Sequence, residues 1–282
     1  MKRPVDIVVL SDVHLGTYGC HAEELLSYLK SIKPKVLILN GDIVDIWQFR
    51  KYYFPKEHIE VINRIMKMSL SETKVYYLIG NHDDTLRRFM PYSAGNIHLR
   101  DKLILQFEGK KYWFFHGDIF DVSIKYSRFL AKLGGQGYDL LIRFNRLVNN
   151  LRHRLSMPRI SIASNVKMGV KKAVKFIRDF EETAIDLAIK QKYDYVVCGH
   201  IHKPEIREAA TAQGKVTYMN SGDWVENLTS LELVNGKWQI YRYEKEEFDL
   251  LNKKLSVKGS MNTQPEPPVP FELEMVNLPD EM

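Results

Sequence analysis

Five short polar groups punctuate this chain, each directly after an apolar run, and no other feature restricts its folding so tightly. In chain order they are Asp12-Val13-His14, Gly41-Asp42, Gly80-Asn81-His82-Asp83, His116-Gly117-Asp118 and Gly199-His200-Ile201-His202. The runs before them, residues 5–10, 36–39, 75–79, 112–115 and 195–198, are short and lack a helical period, which predicts buried strands. Helical patterns at 22–32, with Leu25, Leu26 and Leu29 on one side, and around 57–70 alternate with the first three strands. Such alternation predicts a sheet flanked by helices, and ligand sites in such folds gather beyond the carboxyl ends of strands. Five of the nine histidines fall in these groups, while His21, His58, His98 and His153 read as ordinary surface or packing residues.

The second half changes pattern. A hairpin is predicted over 102–115 with its turn at Glu108-Gly109-Lys110, then strands at 205–209, 216–219, 228–234 and 238–243. Turns are expected at Gly214 and at Asn235-Gly236. Two mixed sheets packed together, with helices outside, is the economical arrangement. No internal repeat is visible.

Each polar group alone is a common loop sequence. All five together, every one after a strand, predict a metal site. Carboxylates, imidazoles and one amide oxygen, with no thiolate, suit Mn²⁺, Fe²⁺ or Zn²⁺ and disfavour an iron–sulfur cluster or a dedicated Ca²⁺ cage. A single four-coordinate ion would leave several donors idle, so two ions are expected. Ions about 3.5–4 Å apart bind the oxygens of a phosphoryl group and acidify a water between them. Cys198 reads as a small buried hydrophobe.

Composition narrows the class. A hydrophobic fraction of 45% over 282 residues excludes global disorder. Two cysteines exclude a disulfide scaffold or a four-cysteine zinc site. No apolar run reaches the ~18 residues of a membrane span, and the start is too short for a secretory leader, so a cytoplasmic protein is expected. Within the net charge of +6, residues 123–178 hold thirteen Lys or Arg against the single acid Asp139. That block therefore carries +12 and the rest −6. Its apolar stripes (Leu140, Phe144, Leu147, Leu151, Leu155; then Val166, Val170, Val174, Ile177) predict basic helices. Such a block reads either as a solvated face or as a reader of an anionic partner. Residues 1–122 and 179–245 are expected to form the core, 123–178 a basic helical cap, and 246–282 an acidic proline-containing mobile tail.

In this order the five groups resemble the calcineurin-like metallophosphoesterases, whose hallmark is Asp-x-His, Gly-Asp, Gly-Asn-His-Asp/Glu, His and Gly-His-x-His. The resemblance runs over residues 6–234. It implies an α/β fold, an αββα four-layer sandwich of two mixed sheets with a helical cap insertion, and a dinuclear centre. It also implies that Asp12, His14 and His202 hold one ion, Asn81, His116 and His200 the other, and that Asp42 bridges them. His82 is implied to contact the phosphate and to stabilise charge or protonate the leaving oxygen, with Asp83 holding its ring. Asp118 reads equally as an acceptor behind His116 or as a loop carboxylate.

Gly41-Asp42-Ile43-Val44-Asp45-Ile46-Trp47, the insertion after His116-Gly117-Asp118, and Ser221-Gly222-Asp223-Trp224 are similar to the UDP-2,3-diacylglucosamine pyrophosphatases of lipid A synthesis. That branch cleaves a nucleotide-linked glycolipid into UMP and a diacylated sugar phosphate. The resemblance implies Mn²⁺ before Fe²⁺ or Zn²⁺, acyl chains received by the cap, and substrate contacts from Lys171 or Lys172 and from Asn165. It further implies contact with the cytoplasmic face of the inner membrane; no protein partner is inferred. Trp47 reads as core packing. One departure stands out: the studied members of the branch carry Arg where this chain has His82. A phosphodiesterase of soluble nucleotides therefore stays open. A nuclease ranks lower, because the cap lacks interleaved aromatics for base stacking. A protein Ser/Thr phosphatase ranks lower still, because Ile46 replaces the Arg expected after Asp45. A non-enzymatic module is disfavoured by the complete ligand set.

Overall fold

In the computed structural model, the described residues are 2–47, 53–120, 167–245 and 274–275, side chains of 167–175 and 274–275 excepted. Strand β1 (Arg3–Leu10) shows why the apolar runs become strands. Ile7 and Val9 point to one face and Val8 and Leu10 to the other, and both faces are buried. The same two-sided burial governs β2 (Ile32–Asn40) and β3 (Lys74–Leu78). Between them lie α1 (Ala22–Ser31) and α2 (Lys56–Ser69). Helix α1 stops one residue short of the expected end, because Ile32 is already extended and opens β2. Pro34, two residues on, cannot continue a helix.

After a 3₁₀ turn at Asp84–Phe89 come β4 (Tyr92–Ala94) and β5 (Ile97–Arg100), then the hairpin β6 (Lys102–Phe107) and β7 (Lys110–Phe115). Glu108 and Gly109 both have positive φ, the two-residue turn that suits the right-handed strand twist. Helix α3 (Lys167–Lys190) follows, then β8 (Tyr195–Cys198), β9 (Glu205–Thr211), β10 (Gly214–Asn220), β11 (Thr229–Val234), β12 (Lys237–Arg242) and β13 (Glu274–Met275). The expected turn at Gly214 falls instead on Ala212-Gln213, and Gly214 opens β10.

The strands form two mixed sheets. One has seven strands in the order β12-β11-β1-β2-β3-β5-β4; the other has six in the order β13-β6-β7-β8-β10-β9. Ile7, Val36, Ile38, Tyr76 and Leu78 of the first sheet meet Leu103, Leu105, Tyr112, Phe114 and Val197 of the second. Leu25, Leu29, Val61 and Ile65 of α1 and α2 cover the outside of the first sheet. Phe180, Ala184, Ile185 and Ala188 of α3 cover the outside of the second. The result is the four-layer αββα order. Among the described residues no helix is long and apolar enough to cross a membrane.

The expected cap lies mostly outside the described residues, although α3 runs unbroken through positions 178 and 179. Glu274 and Met275 of the tail pair antiparallel with Gln106 and Leu105, adding an edge strand where only a mobile appendage was expected.

Candidate metal centre

The five polar groups take over where β1, β2, β3, β7 and β8 end, and the carboxyl ends of both sheets converge on them. Backbone bonds tie the loops together: Asp12 N donates to Gly41 O (3.1 Å), His14 N to Asp42 O (2.9 Å) and Gly199 N to His116 O (3.0 Å). Asp12, His14, Asp42, His200 and His202 all have positive φ, between 51° and 68°. A left-handed backbone costs a non-glycine residue about 1–3 kcal/mol and persists only where the surroundings enforce it. Five such residues in one place mark a built site. Glycine makes the close approach possible. A Cβ on Gly80 would collide with Asp42 Oδ1 and stand 2.8 Å from His116 Cδ2, and one on Gly41 would strike the His116 ring.

Asp42 sits at the middle. Its Oδ2 lies 3.2 Å from His116 Nε2 and 4.0 Å from both His14 Nε2 and His82 Nε2, while its Oδ1 accepts from His82 N at 2.8 Å. Asp12 Oδ1 lies 3.1 Å from His202 Nε2, and Asp12 Oδ2 accepts from His200 N at 3.0 Å. Donor atoms of Asp12, His14 and His202 come within 4.8 Å of one another, as do those of Asp42, His116 and His200. Six of the seven side chains expected to bind metal are thus brought together in two clusters of three; the seventh, Asn81, is buried in the loop between Gly80 and His82. Asn165 lies outside the described residues. Lys171 and Lys172 lie on α3, but their side chains are outside the described part.

The donors fit divalent cations. Asn81 Oδ1 is buried with no hydrogen-bond partner, and the buried Asp12 Oδ1 and His116 Nε2 have only ion-pair neighbours, His202 Nε2 at 3.1 Å and Asp42 Oδ2 at 3.2 Å, a costly condition unless another ligand satisfies them. His116 Nδ1 donates to Asn40 O at 2.9 Å, so Nε2, 3.2 Å from Asp42 Oδ2, is the ring nitrogen that would meet a cation. Asp12, Asp42, Asp45, Asp83, Asp118 and Asp223 are all buried, and buried carboxylates demand neutralisation.

In the metal-free protein the histidines take part of that load. Burial pushes the Asp42 carboxyl up, but His116 beside it outweighs this and holds it well below the carboxylate range. For His202 burial acts downward, yet the Asp12 carboxylate prevails and raises the imidazole to about 9. For Asp83 burial, then the Asp42 charge, outweigh the downward pull of the Tyr77 hydroxyl and His116 and push it up to about 6.

Two expectations need correction. Asp83 does not hold the His82 ring. It accepts instead from Ile43 N (3.0 Å), Gly80 N (2.7 Å) and Tyr77 Oη (2.6 Å), and so pins the two loops to each other. The His82 ring is held by Asp45, whose Oδ2 lies 2.8 Å from His82 Nδ1 and 3.2 Å from His14 Nδ1. Nor is Trp47 core packing. It is half-buried, its ring 4.7 Å from that of His82 and its Nε1 donating to Asp84 Oδ1 at 3.2 Å.

Arg87, which sequence reasoning passed over, donates to Asp118 Oδ2 at 2.6 Å and makes Asp118 an ion-pair partner behind His116. Asp223 was visible only as part of a motif. Its Oδ1 accepts from Val225 N and Glu226 N, and the next residue's N–H donates to Asp12 O at 3.1 Å.

Comparison with known proteins places the chain in a family. The profile of the calcineurin-like phosphoesterases matches residues 5–204. A UDP-2,3-diacylglucosamine hydrolase of Aliivibrio fischeri (strain MJ11) is 23% identical, over 86% of this chain and 99% of that protein. Another, of Blochmanniella pennsylvanica (strain BPEN), is 25% identical over 72% of this chain and 82% of its own length. Among solved structures, the phosphoesterase Yfce of E. coli superposes with TM-score 0.40 at 14% identity, covering 81% of this chain and 88% of that one. With the family profile spanning most of its length and the metal donors gathered at one edge of the sandwich, this chain belongs to the calcineurin-like phosphoesterase family and is a metal-dependent hydrolase.

Proposed function

We propose that this chain hydrolyses the pyrophosphate bond of UDP-2,3-diacylglucosamine, giving UMP and 2,3-diacylglucosamine 1-phosphate. The observation that carries the chemistry is the Asp42 carboxylate, which belongs to one donor cluster with His116 and His200 and lies 4.0 Å from His14 of the other, with His82 alongside. In this reading Asp12, His14 and His202 hold one divalent ion, Asn81, His116 and His200 hold a second, and Asp42 is shared. Mn²⁺ is the ion proposed, and Fe²⁺ or Zn²⁺ also accept these donors. When bound, the ions neutralise phosphoryl oxygens and acidify the attacking water.

His82 then has a defined task. Asp45 engages its Nδ1, which leaves Nε2 on the side of Asp42 to hydrogen-bond a phosphoryl oxygen or give a proton to the leaving oxygen. The substrate assignment is supported by the names of the relatives and by the length over which they match. Lys171, Lys172 and Asn165 are the proposed substrate readers from the basic segment. The same segment is proposed to meet the anionic cytoplasmic face of the inner membrane.

His82, where the studied members of that branch carry Arg, favours a second reading: a phosphodiesterase of soluble nucleotides. A substrate panel with Mn²⁺ separates the two. UDP-2,3-diacylglucosamine in detergent should be turned over at least about tenfold more efficiently than soluble diesters, a preference of roughly 1.4 kcal/mol. Faster turnover of soluble diesters without detergent would reject the lipid substrate.

A further inference from the structure

Helix α2 presents a face for which hydrolysis has no use. From Lys56 to Leu70 its exposed positions are Lys56, Ile59, Ile62, Asn63, Met66, Lys67 and Leu70, and four of these are large and apolar. Leu70 is 83% exposed, Ile59 48%, Met66 45% and Ile62 36%. Spacings of three and four residues align them in one stripe about 16 Å long, while Val61, Ile65 and Met68 on the opposite face are buried in the core. Single exposed apolar residues are ordinary, but a contiguous stripe marks a contact.

The charges around the stripe select the occupant. Arg64 is turned inward, its Nε and Nη2 donating to Leu29 O at 3.0 and 2.8 Å. Lys56, Glu57, Glu60 and Lys67 remain, and they cancel. That is not the Lys- and Arg-rich polar face that holds a helix on an anionic bilayer. It is suited to its own copy. A twofold axis across the helix near position 64 sets Ile59 against Leu70 of the partner subunit and Ile62 against Met66 of the partner subunit. The same operation puts Glu60 opposite Lys67 of the partner subunit, and the reverse, giving two charge pairs on one flank. In the single chain Glu60 instead lies 3.3 Å from Lys56, an exposed pair with little to lose.

We propose that α2 is the contact of a symmetric dimer of this chain, stripe against stripe and antiparallel. The stripe lies on the outer helical layer, on the face of α2 opposite to the one that Val61, Ile65 and Met68 pack on the first sheet. One helix pair buries less than a standard interface, so the association is reversible, with a dissociation constant in the micromolar range.

Sedimentation of the full-length, Mn²⁺-loaded chain over a protein concentration series tests this. Wild type should pass from monomer to dimer. Ile62→Glu should weaken the dimer at least about tenfold, with circular dichroism and turnover of a small diester unchanged. Glu60→Lys and Lys67→Glu should each weaken it, and the double variant should restore it. A wild type that stays monomeric throughout, or a dimer indifferent to all three single changes, would overturn the proposal. So would binding to anionic vesicles that Ile62→Glu abolishes without any dimer in wild type.

Discussion

Asp45 is the side chain on which two functions of the site meet. One carboxylate oxygen serves both His14, in one donor cluster, and His82, whose Nε2 lies 4.0 Å from Asp42 Oδ2. Hydrogen bonds of this kind fix which ring nitrogen carries the proton and which faces the metal, and their loss typically costs 10–100-fold. Asp45→Asn keeps the volume but removes the charge and one acceptor oxygen. Turnover of a small chromogenic diester should therefore fall by about one to two orders of magnitude, with bound metal reduced and the fold retained. Unchanged turnover at full metal content would remove Asp45 from its positioning role. The candidate donors were legible because carboxylates and imidazoles recur just after apolar runs, and the structure gathers six of the seven into two clusters. Asp45 was not. Val44 and Ile46 beside it announce nothing, and its partner His82 lies 37 residues away. Asp83 misled for the complementary reason, since chain neighbours in a tight loop point apart and its carboxylate faces Gly80 N and Ile43 N.

At the scale of elements, legibility follows burial. Strands β1, β2, β3, β6, β7 and β8 are apolar on both faces, and their continuous runs stand out in the sequence. β4 and β5 do not. They are three and four residues long, partly or wholly exposed, and held by pairing with β3 and each other rather than by a packed face. β13 is shorter still and depends on β6 for its existence. The stability that matters should therefore sit where the sheets face each other. Ile38 is fully buried in that layer, and Ile38→Ala removes methylenes that nothing nearby can replace. A loss of about 2–5 kcal/mol is expected, read as a fall of roughly 5–15 °C in the melting temperature for a fold of this size. At concentrations low enough to keep the chain monomeric, Ile59→Ala, on an exposed position, should leave the melt nearly unchanged. A small effect at Ile38 would mean that the inter-sheet layer repacks and is not the rigid base of the site.

For the whole molecule, the centre is also a seam: Asp12 and Asp42 come from one sheet and His116, His200 and His202 from the other, so what binds there ties the sheets together. Without metal, protons do part of this work, and the sign of their effect can be followed. His202 is raised to about 9 by Asp12 against the opposing effect of burial, so its contribution is complete below the ordinary imidazole value and lost as pH rises through 9. Asp83, raised to about 6, adds a contribution complete below about pH 4 and lost as pH rises through 6. Asp12, Asp42 and Asp45 are lowered by their histidines despite burial, so their contributions hold above about pH 4 and fail below it. The metal-free fold should thus be most stable between about pH 4 and 6 and weaken steadily towards 9. Divalent ions held as proposed should reverse the trend, because they would compete with protons for the same atoms and bind better as those protons leave. Melting temperatures taken with Mn²⁺ and with EDTA should therefore diverge as pH rises from about 5.5 to 8. A gap independent of pH, or a metal-free protein that grows firmer towards pH 9, would mean that these carboxylates and imidazoles are not the atoms the ions use.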